Sequence, residues 1–405
     1  MANLWHNLGL NRTVVALSVA RMADGIGNSI LFILIPLYIV KLPNHSLPLP
    51  LPLLVGIIIS AYGFSASLLQ PLIAAFTDRW GHYKYTVELG LIILGTATFM
   101  FVFASRYLDL LGLRILQGVG LALEIPAAMA LMSLVTQRET RGGAMGFFTT
   151  MRMLGLAIGP LIGGFLHTRF GFNTAFLVAT AVLGLAIVIV QFGVNSNDTP
   201  QSPPHINKSP LFDWSLYTPP ILSAAATTFI MATAFTLVTT LQNEFNARMN
   251  TNALGFSIGF SALMLGRLIF QTLLGRLSDH FGRKPFVFYG LLVLAPITAL
   301  LGEVTNLTEF SVLRFLQGIA SAAIVAPTLA YAGDIVQASE QGSAGRQISI
   351  VTTGFGLGIA LGPLMAGILA TAFFQLPFWS DGLLCVWVAW LVKRHMTETV
   401  QKTQY

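Results

Sequence analysis

Long apolar runs separated by short polar knots set the pattern of this chain. A helix needs about 20 mainly apolar residues to cross a bilayer. Runs of that length recur between breaks where charged residues, Pro, Asn and Gly cluster. They predict helices over 13–40, 52–76, 85–105, 107–134, 144–168 and 173–194, and then over 217–242, 253–276, 285–303, 306–332, 346–372 and 376–393. The first run, Thr13 to Val40, exceeds the apolar core of a signal peptide and reads as a retained span. The longest polar stretch, Asn195 to Ser215, contains Pro200, Pro203, Pro204 and Pro210 and reads as a flexible linker. The pattern therefore predicts an all-α polytopic membrane protein of twelve transmembrane helices. One six-helix bundle covers 1–194, a cytoplasmic linker covers 195–216, and a second bundle with a short tail covers 217–405.

The two halves repeat. Asp78-Arg-Trp-Gly81 returns as Asp279-His-Phe-Gly282 at an offset of 201 residues, and Arg114-Ile-Leu-Gln117-Gly118 returns as Arg314-Phe-Leu-Gln317-Gly318 at 200. Gly155, Gly159, Pro160 and Gly164 return as Gly358, Gly362, Pro363 and Gly367 at 203. Three matches in order and at nearly one offset indicate parallel, pseudo-symmetric six-helix repeats. Such repeats place a substrate site between the halves near the midplane, with access alternating as they rock.

Composition fixes the solvent. Apolar residues make up 55% of the chain and charged residues 9%, against about 25% charged in a soluble domain. The mean hydropathy is +0.74. The net charge of +6 comes from basic residues lying between apolar runs, which points to membrane topology rather than nucleic acid. Four of them, Lys41, Arg106, Arg169 and Arg248, fall in the segments that would be outside if the N-terminus is inside, and most of the others fall in the inner segments. That bias predicts both termini in the cytoplasm of a cell with an inner membrane. The single cysteine, Cys385, excludes a disulfide within the chain.

The turn Gly275-Arg-Leu-Ser-Asp279-His-Phe-Gly282-Arg283-Lys284 carries the most specific motif. A tight turn between two helices suits Gly81 and Gly282, where the backbone needs unusual dihedrals. Asp78 and Asp279 suit a helix N-terminus, and Arg79, Lys84, Arg283 and Lys284 can pair with them or with lipid phosphate. The segment resembles the signature between spans 2 and 3 of each half in the major facilitator superfamily. The first copy departs from it at Ala74, where the pattern has glycine, and at His82, where it prefers a basic residue. The resemblance covers the whole chain and implies the major facilitator fold, with this turn acting as a conformational latch. The run Gly155-Leu-Ala-Ile-Gly159-Pro160-Leu-Ile-Gly163-Gly164 in span 5 offers a smooth face for close helix packing, bent at Pro160. It resembles a motif of the superfamily's twelve-span drug–proton antiporters.

Charges inside spans are expensive and become functional candidates by default. In the first half these are Arg21 and Asp24 on span 1, Arg114 and Glu124 on span 4, and Arg152 on span 5. In the second half they are Arg267 on span 8 and Arg314 on span 10. Arg21 and Asp24 are three residues apart and share a helix face. Arg114 matches the span 4 arginine that the family implicates in proton transfer, and Glu124 lies ten residues beyond it. Asp24, Glu124, Arg114 and Arg21 are the proton-coupling candidates, while Arg152, Arg267, Arg314 and Asn28 are candidates for the substrate cavity. The second half shows two buried arginines and no clear mid-span carboxylate, which would put coupling in the first half. Glu88 and Glu303 lie near span ends and read as interfacial.

The sequence carries no His-Glu-x-x-His pair and no phosphate-binding loop ending in Gly-Lys-Ser/Thr, which argues against an enzyme. No cofactor or metal is expected. The driving ion would be the proton, the partners a small-molecule substrate and the lipid bilayer rather than nucleic acid, and the working unit a monomer. The resemblance implies proton-coupled efflux of small amphipathic molecules or drugs. The surplus of buried arginine suits an alternative, a carrier for an anionic metabolite such as an organic acid or siderophore.

Overall fold

The computed structural model describes residues 10–42, 48–137, 140–195, 217–338 and 344–399. The predicted linker therefore lies outside the described residues from 196 on. Among the described residues the secondary structure is helical, without strands. The helices are α1 (Arg12–Lys41), α2 (Leu51–Trp80), α3 (Tyr83–Met100, extended by a 3-10 turn to Phe103), α4 (Tyr107–Val135), α5 (Arg141–Gly193), α6 (Pro219–Thr240), α7 (Gln242–Arg248), α8 (Ala253–Phe281), α9 (Arg283–Leu301), α10 (Leu307–Ala338), α11 (Ala344–Leu369) and α12 (Leu376–His395). All except the short α7 are long and apolar enough to cross a membrane. Large side chains such as Phe103, Leu108, Phe192 and Leu383 stand exposed on their outer faces, as lipid-facing helices require.

Eleven such helices make twelve crossings because α5 is two spans in one. At 53 residues it would reach about 80 Å if straight, at 1.5 Å per residue, more than twice a hydrocarbon core of about 30 Å. Gly171 breaks it with φ 83° and ψ −178°. The arms 141–170 and 172–193 correspond to the predicted spans 5 and 6.

Local chemistry explains the helix starts. Asn11 accepts a hydrogen bond from the Val14 amide at 2.8 Å and caps α1. Asp109 accepts from the amides of Ser105 and Arg106, at 3.0 and 2.8 Å, and caps α4. α6 opens on Pro219 and Pro220, where the missing amide protons cost nothing. Lys393, Arg394 and His395 end α12, where positive charge suits the helix dipole. α7 was absent from the predicted set, being too short to register as an apolar run.

The described residues pack as two units. One falls within Met1–Pro48, Ala61–Lys208 and Asn252–Ser257, and the other within Leu49–Ser60, Ser209–Thr251 and Ile258–Tyr405. The first has a core of Val14, Leu17, Leu91, Leu131, Phe148, Leu183 and Val190. The second is built on Val287, Leu291, Leu294, Ile324, Tyr331, Cys385 and Val388.

In the first unit, the glycines of the Gly-Pro run bring α5 onto α1. A Cβ on Gly155 would meet the Met22 carbonyl and lie 3.1 Å from Gly25 Cα, one on Gly159 would lie 2.6 Å from the Ile26 carbonyl oxygen, and one on Gly163 3.1 Å from Ile30 Cα. The second unit repeats the contact between α11 and α6. Gly358 faces Phe229 and Ala232, and Gly362 faces Thr233 and Thr236. The partners are 203 residues apart on one side of this contact and 207 on the other. Pro160 and Pro363 stay inside continuous helices. Gly164 lies against Ala253 and Leu254 within the first unit, and Gly367 against Pro52 and Leu53 within the second.

Candidate functional site

α1 and α4 bring three charged groups together in the interior of the first unit. Arg21 donates from Nη1 to Asp24 Oδ2 at 2.7 Å and to Glu124 Oε1 and Oε2 at 3.0 and 3.1 Å. All three side chains are buried. The three-residue spacing on α1 puts Asp24 beside Arg21. The third member arrives because the Glu124 backbone lies close against Gly90 of α3, where any side chain larger than hydrogen would clash. Arg152 on α5, half-buried, interacts electrostatically with Arg21, Asp24, Tyr62 and Glu124. Two cations and two carboxylates therefore form one balanced cluster. Phe148 lies over the Arg21 guanidinium at 5.9 Å.

Arg114 belongs to a second arrangement, not to Glu124. Its Nη1 donates to Gln117 Oε1 at 3.2 Å, and Gln117 Nε2 donates to Thr98 Oγ1 at 2.9 Å. Its guanidinium faces the rings of Tyr62 and Phe32 at 5.3 and 5.6 Å. Tyr62 in turn accepts a hydrogen bond from Asn28 Nδ2 at 2.9 Å. Arg114 is completely buried, and its Nε and Nη2 have no hydrogen-bond partner.

Arg314 is its structural twin in the second unit. It is also completely buried, donates to Gln317 Oε1 at 2.6 Å, faces Phe260 at 5.8 Å, and leaves Nε and Nη2 without a partner. Arg267, on α8, donates from Nε to Gln271 at 3.2 Å and is half-buried. The glutamines Gln117 and Gln317 were visible in the repeat itself, three residues after each arginine. The aromatic covers, Tyr62 with Phe32 and Phe260, had no sequence signal.

The second unit does contain a buried carboxylate, contrary to the sequence expectation. Asp381 on α12 is 4% exposed, and its Oδ1 lies 2.6 Å from Thr233 Oγ1 on α6. It sits in Trp379-Ser380-Asp381-Gly382, which reads along the sequence as the polar edge of a span. Glu88 is buried, with Lys84 Nζ at 3.9 Å. Glu303 is exposed.

The two motif turns differ. Gly81 and Gly282 both take left-handed backbone, φ 72° and 104°. At the second turn Arg283 donates to Asp279 Oδ1 at 2.9 Å and pairs with Asp334 at the end of α10. Glu398 accepts from the amides of Arg283 and Lys284, at 2.9 and 3.2 Å, and so caps α9. Thr399 donates to Asp334 at 2.6 Å. Gly275 sits within α8, before this turn. At the first turn Lys84 instead donates to the Gln191 carbonyl at 2.8 Å, and Arg79 is exposed. The Asp78 side chain lies outside the described residues. Asp334 and Glu398 went unnoticed in the sequence because neither belongs to a spaced motif.

The model of the Major Facilitator Superfamily matches residues 17–259 and 221–404. The multidrug resistance protein MdtG of Proteus mirabilis is 28% identical over 310 residues, 74% of this chain and 75% of that protein. The multi-drug resistance efflux pump PmrA homolog of Lactococcus lactis is 27% identical over 274 residues, 66% of this chain and 67% of that protein. Among solved structures, a bacterial homolog to the human lysosomal transporter Spinster, in an inward-facing and occupied conformation, matches with a TM-score of 0.77 at 17% identity. That match covers 95% of this chain and 96% of the other, and it speaks for the fold.

Proposed function

Since this chain belongs to the Major Facilitator Superfamily, a family of transporters rather than enzymes, we propose that it is a proton-coupled secondary transporter exporting small amphipathic molecules by alternating access. The observation that carries this reading is the cluster of Arg21, Asp24 and Glu124. One guanidinium nitrogen serves two carboxylates. Either carboxylate can be neutralised by a proton while the other keeps Arg21 paired. With Arg152 included, that step takes the cluster from balanced charge to one net positive charge. A cationic or polarised substrate then competes with the proton for the same negative charge, which is what exchange requires. The multidrug efflux relatives support the substrate class.

Alternating access would open the cluster to each side in turn. The pairing of Arg283 with Asp279 and Asp334 supports a latch that breaks in this motion. The excess of Lys and Arg in alternate segments supports an inner-membrane protein with both termini in the cytoplasm. The proton gradient supplies the energy, and a single chain contains both repeats.

The test is ethidium efflux from cells expressing the wild type, Asp24→Asn or Glu124→Gln at equal level. Wild-type efflux that either substitution abolishes supports the reading. A wild type that moves no ethidium or other amphipathic drug defeats it.

One observation favours a second reading. Arg114 and Arg314 are buried cations with no carboxylate within ion-pair distance among the described residues. Such groups suit an anionic metabolite, and uptake of labelled di- and tricarboxylates into membrane vesicles tests it.

A further inference from the structure

Asp381 takes no part in the arrangement from which the proposed function was drawn, and its hydrogen bonds do not balance if it is ionised. Thr233 Oγ1 lies 2.6 Å from Asp381 Oδ1 and 2.8 Å from the Ile230 carbonyl oxygen. A threonine hydroxyl has one proton to donate. With an ionised Asp381, two acceptors would share it. The second carboxyl oxygen, Oδ2, is buried and has no hydrogen-bond partner.

Among the described residues nothing cationic compensates. α12 packs on α9, α6 and α11. α6 has no ionisable side chain, and neither has α11 from Ile350 on. On α9 the ionisable groups are Arg283 and Lys284 in the first turn, and Tyr289. Gly382 packs against the Ala295 carbonyl, so Arg283 is about 18 Å away along α9, at 1.5 Å per residue. On α12 itself, Cys385 lies one turn on, and Lys393 to His395 begin about 18 Å away. A buried carboxylate without a cation or a full set of donors is the costly form of this side chain.

We propose that Asp381 is a proton-binding site. Its carboxyl takes up one proton and donates it to Thr233 Oγ1, and Thr233 donates its own proton to the Ile230 carbonyl. This completes the chain from α12 to α6 with one proton per hydrogen bond. Thr233 is also the residue against which Gly362 of α11 packs, with its Cα 3.0 Å from a Cβ built there. Loss of the proton sets a carboxylate against the oxygen of Thr233 and loosens α12 from the α6–α11 contact. The first unit has Ile26 at the place of Thr233 in its matching contact, so the device belongs to the second unit alone.

The experiment reads the proton directly and needs no substrate. Infrared difference spectra between acid and alkaline pH are recorded on the purified full chain in phospholipid vesicles. The wild type should show a carbonyl band of a protonated carboxylic acid that is lost in Asp381→Asn. In Thr233→Val the same band should be displaced, because the acid has lost its acceptor. Spectra in which neither substitution alters a protonated-carboxyl band overturn the proposal. Because no transport is measured, these outcomes are independent of the efflux test.

Discussion

Arg21 of α1 holds Glu124 of α4 at 3.0 Å with the same nitrogen that it offers to Asp24. Removing Arg21 takes the hydrogen-bond donor from both buried carboxylates at once, whereas removing Glu124 leaves Arg21 bonded to Asp24. Breaking a buried ion pair by deleting one partner costs about 3–5 kcal/mol. Arg21→Met is therefore expected to lower the thermal midpoint of the detergent-purified protein sharply, and Glu124→Gln to leave it close to wild type. Equal losses in both would contradict the shared-nitrogen geometry.

Arg314 presents the opposite case. It is a fully buried charge whose neighbours are an amide and a ring. Replacing buried charges by apolar side chains of similar volume is neutral or stabilising by about 1–4 kcal/mol. Arg314→Met should raise the midpoint while it abolishes transport, in a protein whose stability and activity pull apart at this position. A lowered midpoint would mean that the guanidinium is structural.

The α1–α5 and α6–α11 contacts should respond alike to a methyl group. Gly155→Ala and Gly358→Ala each place a Cβ against backbone across the contact, and overpacking of this kind costs about 1–3 kcal/mol. Gly184→Ala, with open space around it, should instead gain up to about 1 kcal/mol from helix propensity. Unfolding midpoints of the three variants, compared in one detergent, decide the matter.

Glu398 caps α9 from the far end of the sequence. Its two oxygens satisfy the amides of Arg283 and Lys284, which a carboxylate at a helix N-terminus does for about 0.3–1 kcal/mol. Glu398→Ala should leave the bundle intact but speed hydrogen exchange at those two amides. Unchanged exchange there would show that the cap contributes nothing.

Glu244 on α7 gives a pH dependence with a definite sign. Burial pushes its carboxyl above the usual carboxylate range. The folded state thus holds its proton more tightly than the unfolded state, so stability is highest below the ordinary carboxylate value and falls as pH rises through the raised one. Glu244→Gln should raise the thermal midpoint at neutral pH and change it little at acid pH. A midpoint difference that grows toward acid would reverse the assignment.

The twelve crossings could be read from the chain because each is bounded by a local cluster of polar or helix-breaking residues, and the Gly-Pro motif because its spacing repeats. Arg21 and Asp24 were legible for the same reason, being three apart on one helix. Glu124 was recognised as a buried carboxylate, but its partner was not. A pairing 103 residues apart depends on how α1 meets α4, which no spacing records. Asp381 was missed because its significance lies in Thr233, 148 residues away. Asp334 and Glu398 lie at helix ends where acidic residues are ordinary, and only the folded turn gathers them around Arg283.

Gly171 has a mechanical consequence. In the second unit, residues 370–375 separate α11 from α12, and six residues offer many torsions over which a tilt can be spread. In the first, the corresponding spans meet at a single residue with φ 83°, a value that side chains other than hydrogen resist. The arm that packs on Gly25 and Ile26 therefore drives the following arm through one pivot, like two rods on a common pin, while its counterpart acts through a joint of several hydrogen-bonded turns. If the two repeats swing by the same angle, they transmit it to their outer helices with different stiffness.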